Sequence, residues 1–305
     1  MSTIGIDLGG TKIAAALVAD DGTIINEWRR LTPPRGGAER ILDAIGDLVH
    51  EIAAASEHPL IGIGLGVGGA VHADDGVILS ATDILGDWAG TAVRAELESR
   101  VGLPVTVDND VKVFAIGEHR FGAGSSLRNA VYVTVGTGVG GALFIDDKLV
   151  RGRTWSAGEL GHVTVPGAQD RLCPCGHYGH LEGVASGPAM SRRYAERSQT
   201  SPLPLETIVD RAEHGDPLAI EVIAEGGEAF GLALAGFANT LDPEAIVLGG
   251  GVIGAHPRYL NSARSAFAMS VLPGPRTCPL IVAHLGAQAA VLGAASIAVT
   301  PVPSI

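Results

Sequence analysis

Two stretches of this chain are built alike: Ile4-Gly5-Ile6-Asp7-Leu8-Gly9-Gly10-Thr11-Lys12 near its start and Val133-Thr134-Val135-Gly136-Thr137-Gly138-Val139-Gly140-Gly141 near its middle. Each reads as strand, glycine turn carrying a threonine, strand. Such a repeat predicts two related α/β domains facing each other across a cleft, although hairpins that merely share turn chemistry leave the same trace. At 305 residues the chain is long enough for two cores. The expected division is 1–117 plus 288–305 for a small N-terminal α/β domain with a returning C-terminal helix, and 118–287 for a larger domain.

The pattern between these stretches supports an α/β architecture. Strands are expected at Thr3–Asp7, Ile13–Val18 and Thr23–Arg30, with Asp21-Gly22 marking a turn. After Pro33-Pro34 the period changes: Ile41, Leu42, Ile45, Leu48, Val49 and Ile52 recur at helical spacing and define one buried face. Ile61–Val67 reads as a strand buried on both sides, and a helix near Val93–Arg100 leads to the strand Val105–Asp108. That strand delivers Asn109-Asp110 to its carboxyl end, where open α/β sheets bind ligands. Later come Glu206–His214, a long helix from about Pro217 to Leu241, the strand Ala245–Leu248 with Gly249-Gly250-Gly251 after it, a strand at Pro279–Ala283 and a final helix at Gln288–Ala298.

Cysteine is scarce, and two of the three fall in Cys173-Pro174-Cys175-Gly176-His177-Tyr178-Gly179-His180-Leu181-Glu182, downstream of Glu159-Leu160-Gly161-His162. Two thiolates two positions apart can share one cation, and His162 and His180 can complete the tetrahedral shell that zinc takes in structural sites. His177 is a rival fourth ligand. The alternative is a pair of buried free cysteines in a glycine-rich loop.

Asp7-Leu8-Gly9-Gly10-Thr11-Lys12 combines the parts of a phosphate site: amides of Gly9 and Gly10 for an anion nest, a hydroxyl on Thr11, charge on Lys12, and Asp7 to hold Mg²⁺ through water. Gly136, Thr137 and Gly138 offer a second nest without a lysine, and Gly250 a third close approach of backbone. Neither turn matches the P-loop or the dinucleotide fingerprint, and each alone reads equally well as a plain hairpin turn. Asp110 can accept a proton from an alcohol attacking phosphorus, or can serve as a helix N-cap.

The formal net charge of -12 argues against a nucleic-acid or anionic-lipid surface. No basic leader precedes the first strand and no apolar run is long enough to span a bilayer, which with the odd cysteine count leads to the expectation of a cytoplasmic protein.

Taken together these motifs resemble the ROK family of sugar kinases, repressors and related proteins, over nearly the whole chain. The resemblance implies a two-domain actin-like ATPase fold of the ribonuclease H-like, hexokinase type. It also implies ATP with Mg²⁺ at Gly5–Lys12 and Val135–Ala142, and a structural Zn²⁺ at His162, Cys173, Cys175 and His180. Asp110 would be the catalytic base, with Asn109, Asp110, Glu159, His162 and Glu182 on the sugar hydroxyls. The expected activity is transfer of a phosphoryl group to the 6-hydroxyl of a hexose, glucose first, with an N-acylhexosamine such as N-acetylmannosamine or N-acetylglucosamine as the alternative. A non-catalytic sugar-sensing regulator is the competing class, disfavoured because both phosphate turns and Asp110 are retained and Asp7 lies too near the start for a preceding helix-turn-helix. A homodimer or homotetramer is implied by the same analogy.

Four positions depart from the family pattern. His180 stands where a third cysteine is usual, Lys112 where a small or amide residue follows the Asn-Asp pair, and Gly69 where a proline is common. Asp83, in Thr82-Asp83-Ile84-Leu85-Gly86-Asp87-Trp88, stands where an asparagine usually faces the sugar.

Overall fold

The computed structural model describes residues 1–33, 37–81, 87–299 and 304–305. Pro34 and the segment 82–86, with Asp83, lie outside the described residues. Along the chain run β1 (Ser2–Leu8), β2 (Lys12–Ala19), β3 (Ile24–Leu31), α1 (Gly37–Ala55), β4 (Leu60–Val67), β5 (Ala70–His72), β6 (Val77–Ser80), α2 (Val93–Val101), β7 (Val105–Asn109) and α3 (Asp110–Phe121). Then follow β8 (Ala130–Val135), β9 (Val139–Ile145), β10 (Lys148–Leu149), α4 (Glu182–Ala185), α5 (Gly187–Ser198), α6 (Leu205–Glu213), α7 (Pro217–Leu241), β11 (Ala245–Gly249), α8 (Pro257–Ser270), β12 (Leu280–Val282) and α9 (Gln288–Val299).

These elements gather into two compact units, the first of Met1–Ser126, Lys148–Ala157 and His284–Ile305, the second of Leu127–Asp147 and Gly158–Ala283. The first boundary falls later than the residue 117 read from sequence, because α3 continues unbroken to Phe121. Glu118, fully buried, fixes that region: its carboxylate accepts from Ala123 N (2.8 Å), His284 N (3.1 Å) and Leu285 N (2.7 Å).

In the first unit the sheet order is β3-β2-β1-β4-β7, with β1, β2 and β3 antiparallel and β1, β4 and β7 parallel. The register sets Asp7 beside Gly66, and Asn109 beside Val67, so the acids of β1 and β7 emerge at the same end of the sheet. Helix α1 buries Ile41, Leu42, Ile45, Leu48, Val49 and Ile52, the face its spacing predicts. Burial of each such side chain stabilises by about 1.5–3 kcal/mol. Helix α9 covers β1 and β4 so closely that a Cβ on Gly5 would lie 1.9 Å from Val291 O, and one on Gly64 1.7 Å from Ala294 O. Glycine here is a packing requirement, not a turn signal.

In the second unit β9 pairs antiparallel with β8, and β8, β11 and β12 are parallel. The hairpin-plus-parallel-strand arrangement of β2-β1-β4 thus recurs as β9-β8-β11, which is the internal repeat seen in the sequence. Helix α7 spans Pro217–Leu241 as expected, started by the Asp216 carboxylate accepting from Leu218 N and Ala219 N. It packs on α8 through Gly227 and Gly231, where added Cβ atoms would meet Tyr259 O and Ala263 O at 2.2 and 2.1 Å. No helix among the described residues is long and apolar enough to cross a membrane.

Candidate functional site

The first group of site residues stands at the carboxyl ends of β1 and β7. Asn109 caps α3: its Oδ1 accepts from Val111 N (3.0 Å) and Lys112 N (3.1 Å). Its Nδ2 donates to Gly69 O (3.0 Å) and to Asp110 Oδ1 (2.9 Å). The capping role open to either residue therefore falls to Asn109, and Asp110 enters the first turn with its carboxylate oriented by Asn109 and by Val111 N (2.9 Å). Asp7 senses that carboxylate. Burial, reinforced by the charge of Asp110 and opposed by Lys12, pushes its pKa up to about 6.

The turn after β1 closes with Gly9 N donating to Lys12 O (3.0 Å), while Thr32 Oγ1 donates to Gly9 O (2.6 Å). Gly10, Thr11 and Lys12 are exposed. Their amides, hydroxyl and ammonium are open to a ligand, as an anion site requires.

The second turn, Gly136-Thr137-Gly138, is held differently. Gly136 N donates to Gly138 O (2.9 Å), and Gly136 O accepts from Gly187 N (3.0 Å), the first residue of α5. Val139 N donates to Glu182 Oε2 (2.8 Å). Glu182 is 9% exposed, and a Cβ on Gly138 would fall 2.6 Å from its Oε2, so a larger residue there would push the carboxylate away from the turn. Gly250, at φ 89°, lies against Val135 at the end of β8, where a Cβ would sit 2.2 Å from the carbonyl. Glu182 is thus placed beside the second glycine turn as well as beside the cysteine loop, with Cys173 Sγ 3.8 Å from its Oε1.

The cysteine loop brings together the four ligand atoms expected of it. His162, Cys173, Cys175 and His180 present donor atoms that all lie within 4.8 Å of one another. Cys173 Sγ is 3.5 Å from His162 Nδ1, and Cys175 Sγ is 3.2 Å from His180 Nδ1. In a tetrahedral zinc site with bonds of about 2.3 Å to sulfur and 2.0–2.1 Å to nitrogen, a sulfur–nitrogen edge is about 3.5 Å, so the donor set suits the ion in chemistry and these two edges match it in length. His177 Nδ1 stands 3.8 Å from Cys175 Sγ, its ring stacked on that of His180 and exposed. Burial, first, pushes the Cys173 thiol up to about 12. His162 turns its other nitrogen, Nε2, toward Glu159 at 3.7 Å, within ion-pair reach and beyond hydrogen-bond length. Glu159 itself is exposed.

Three residues near the acids escaped the sequence reading. Asp108, 1% exposed, is ion-paired with Arg151. Trp155 adopts φ 63° and its carbonyl accepts from the buried Lys112 (2.6 Å). A buried acid directly before the Asn-Asp pair was the available signal, and its partner lies too far along the chain to be paired by spacing.

The sequence pattern of the ROK family matches residues 3–300. A glucokinase from Streptomyces coelicolor is 34% identical, the alignment covering 99% of this chain and 98% of that one. Among solved structures, a ROK hexokinase from Thermus thermophilus superposes with a TM-score of 0.86 at 33% identity, covering 98% of each chain. A ROK family glucokinase from Streptomyces griseus, solved in complex with glucose and AMPPNP, gives 0.83 at 35% identity, with 98% of this chain and 99% of that one covered. The chain belongs to the ROK family, and its fold is that of the actin-like ATPases.

Proposed function

We propose that this protein is an ATP-dependent sugar kinase that phosphorylates the 6-hydroxyl of a hexose, glucose first. The observation that carries the reading is Asp110: a carboxylate oriented by Asn109 at the carboxyl end of β7, in a chain that aligns end to end with glucokinases. Asp110 takes the proton of the sugar's 6-hydroxyl as that oxygen attacks the γ-phosphorus of ATP. The new O–P bond forms as the bond to the β-phosphate oxygen breaks, and ADP leaves. The amides of Gly9, Gly10, Gly136 and Gly138, with Thr11, Thr137 and Lys12, spread the negative charge on the phosphates, and Gly250 permits close approach of backbone. Mg²⁺ bound with ATP supplies further charge neutralisation.

Recognition of the polyol is assigned to Asn109, Glu159, His162 and Glu182. A structural Zn²⁺ would be held by His162, Cys173, Cys175 and His180 and would supply rigidity, fixing the loop from which His162 and Glu182 project. The same reading expects a cytoplasmic homodimer or homotetramer. The test is ADP release across a panel of glucose, mannose, N-acetylglucosamine and N-acetylmannosamine at fixed ATP, with metal content determined on the same preparation. Turnover fastest with glucose and about one zinc per chain are expected. Fastest turnover with an N-acetylated sugar would reassign the substrate, and no ADP with any sugar would reject the kinase.

A further inference from the structure

Lys112 departs from the family pattern and has no part in the chemistry above, yet it is 3% exposed in the first turn of α3. Burying an ammonium is unfavourable unless it is well solvated by protein dipoles. Here Nζ donates to Trp155 O at 2.6 Å. The residue supplying that carbonyl is itself out of place: Trp155 sits at φ 63°, in the left-handed region, where a bulky side chain is an outlier. Such a conformation persists only when its surroundings over-determine it.

The surroundings do so. Trp155 N donates to Gly152 O (3.2 Å), and Ala157 N to Arg151 O (3.1 Å), closing a small loop. The indole lies 4.8 Å from the His72 ring, and the Arg151 guanidinium is over it at 6.0 Å. Arg151 in turn is ion-paired with the buried Asp108. The loop 151–157 therefore grips the β7–α3 junction at Asp108 and at Lys112, and Asn109-Asp110 lies between the two grips.

We infer that Trp155, through Lys112 and the Arg151–Asp108 pair, is a positioning residue for Asp110, an inference that rests on the reading of Asp110 as the base. A left-handed backbone spans the distance between the two grips, and the ring contacts keep it there. Misplacing a catalytic group by about 1 Å can lower turnover on the order of a hundredfold, so a loop that never touches substrate can still set kcat.

Trp155→Gly is the discriminating variant, because glycine takes φ 63° without strain and so retains the fold while losing the ring contacts. Trp155→Tyr keeps an aromatic ring for His72, and Lys112→Met keeps the apolar stem while removing the donor. Thermal midpoint, hexose affinity by calorimetry without nucleotide, and kcat are measured for each. The expected result is a kcat lowered about tenfold or more in Trp155→Gly and Lys112→Met, with hexose affinity within about twofold of the parent. The thermal midpoint of Trp155→Gly should stay close to the parent's, relieved strain offsetting the lost ring contacts, and Trp155→Tyr should recover most of the lost turnover. Full turnover in Trp155→Gly or in Lys112→Met overturns the inference. So does a loss matched by an equal loss of hexose affinity, which would make Trp155 a sugar contact. A parent enzyme that releases no ADP with any hexose would instead refute the assignment of Asp110.

Discussion

The two glycine turns are alike in sequence and unlike in what supports them. Gly9–Lys12 is braced within its own sheet, by Thr32 at the end of β3, and carries its charges with it in Asp7 and Lys12. Gly136–Gly138 carries no charge and is braced from far along the chain, by Gly187 at the start of α5 and by the Glu182 carboxylate. A repeated hairpin can therefore keep its backbone geometry while its electrostatics and its dependence on neighbours diverge. The first turn is set by local strand pairing. The second is only as well placed as the loop that ends at Glu182.

Breaking the remote brace gives the largest difference. Glu182→Ala leaves Val139 N, on a residue 4% exposed, without its acceptor, and an unsatisfied buried donor costs about 1–3 kcal/mol. The expected outcome is a lower thermal midpoint and nucleotide affinity weakened roughly tenfold, read by calorimetry with a non-hydrolysable ATP analogue. Glu182→Gln, which keeps an acceptor for Val139 N, should retain most of that affinity. Equal nucleotide binding by parent and Glu182→Ala would show that the second turn needs no support from the cysteine loop.

The first turn should respond to pH instead. Asp7 in the folded chain holds its proton up to about 6, against an ordinary value of 3.8. The folded state therefore binds more protons than the unfolded chain between those values, and stability falls as pH rises through that window. Asp7→Asn removes this loss and should raise stability at pH 7 by up to about 3 kcal/mol, with little change below pH 4. Denaturant unfolding at both pH values checks it. A variant no more stable than the parent at pH 7 would mean that Lys12 compensates the buried carboxyl fully.

Local patterns made much of this legible beforehand. The α1 face and the limits of α7 are each encoded within a single segment, and the side chains of His162, Cys173, Cys175 and His180, which the fold brings together, come from the one stretch 162–180. Helices α5 and α8 went unread because their apolar stripes are thin: Tyr259, Ala263, Ala266 and Phe267 bury one side of α8, among small and polar neighbours that blur the period. Asp108 with Arg151, Lys112 with Trp155, and Val139 with Glu182 are each 43 residues apart. Partners at that separation are matched only by the fold. The Asn109-Asp110 pair was legible as a motif, whereas its division of labour was not, since either residue can cap a helix and only the folded backbone decides that Asn109 does so.

The central claim is that Asp110 accepts the proton of a sugar hydroxyl during phosphoryl transfer. Asp110→Asn, assayed for ADP release with glucose and for glucose binding by calorimetry, tests it most directly. The account predicts glucose affinity close to the parent's and a kcat lower on the order of a hundredfold or more. Turnover equal to the parent's would contradict it.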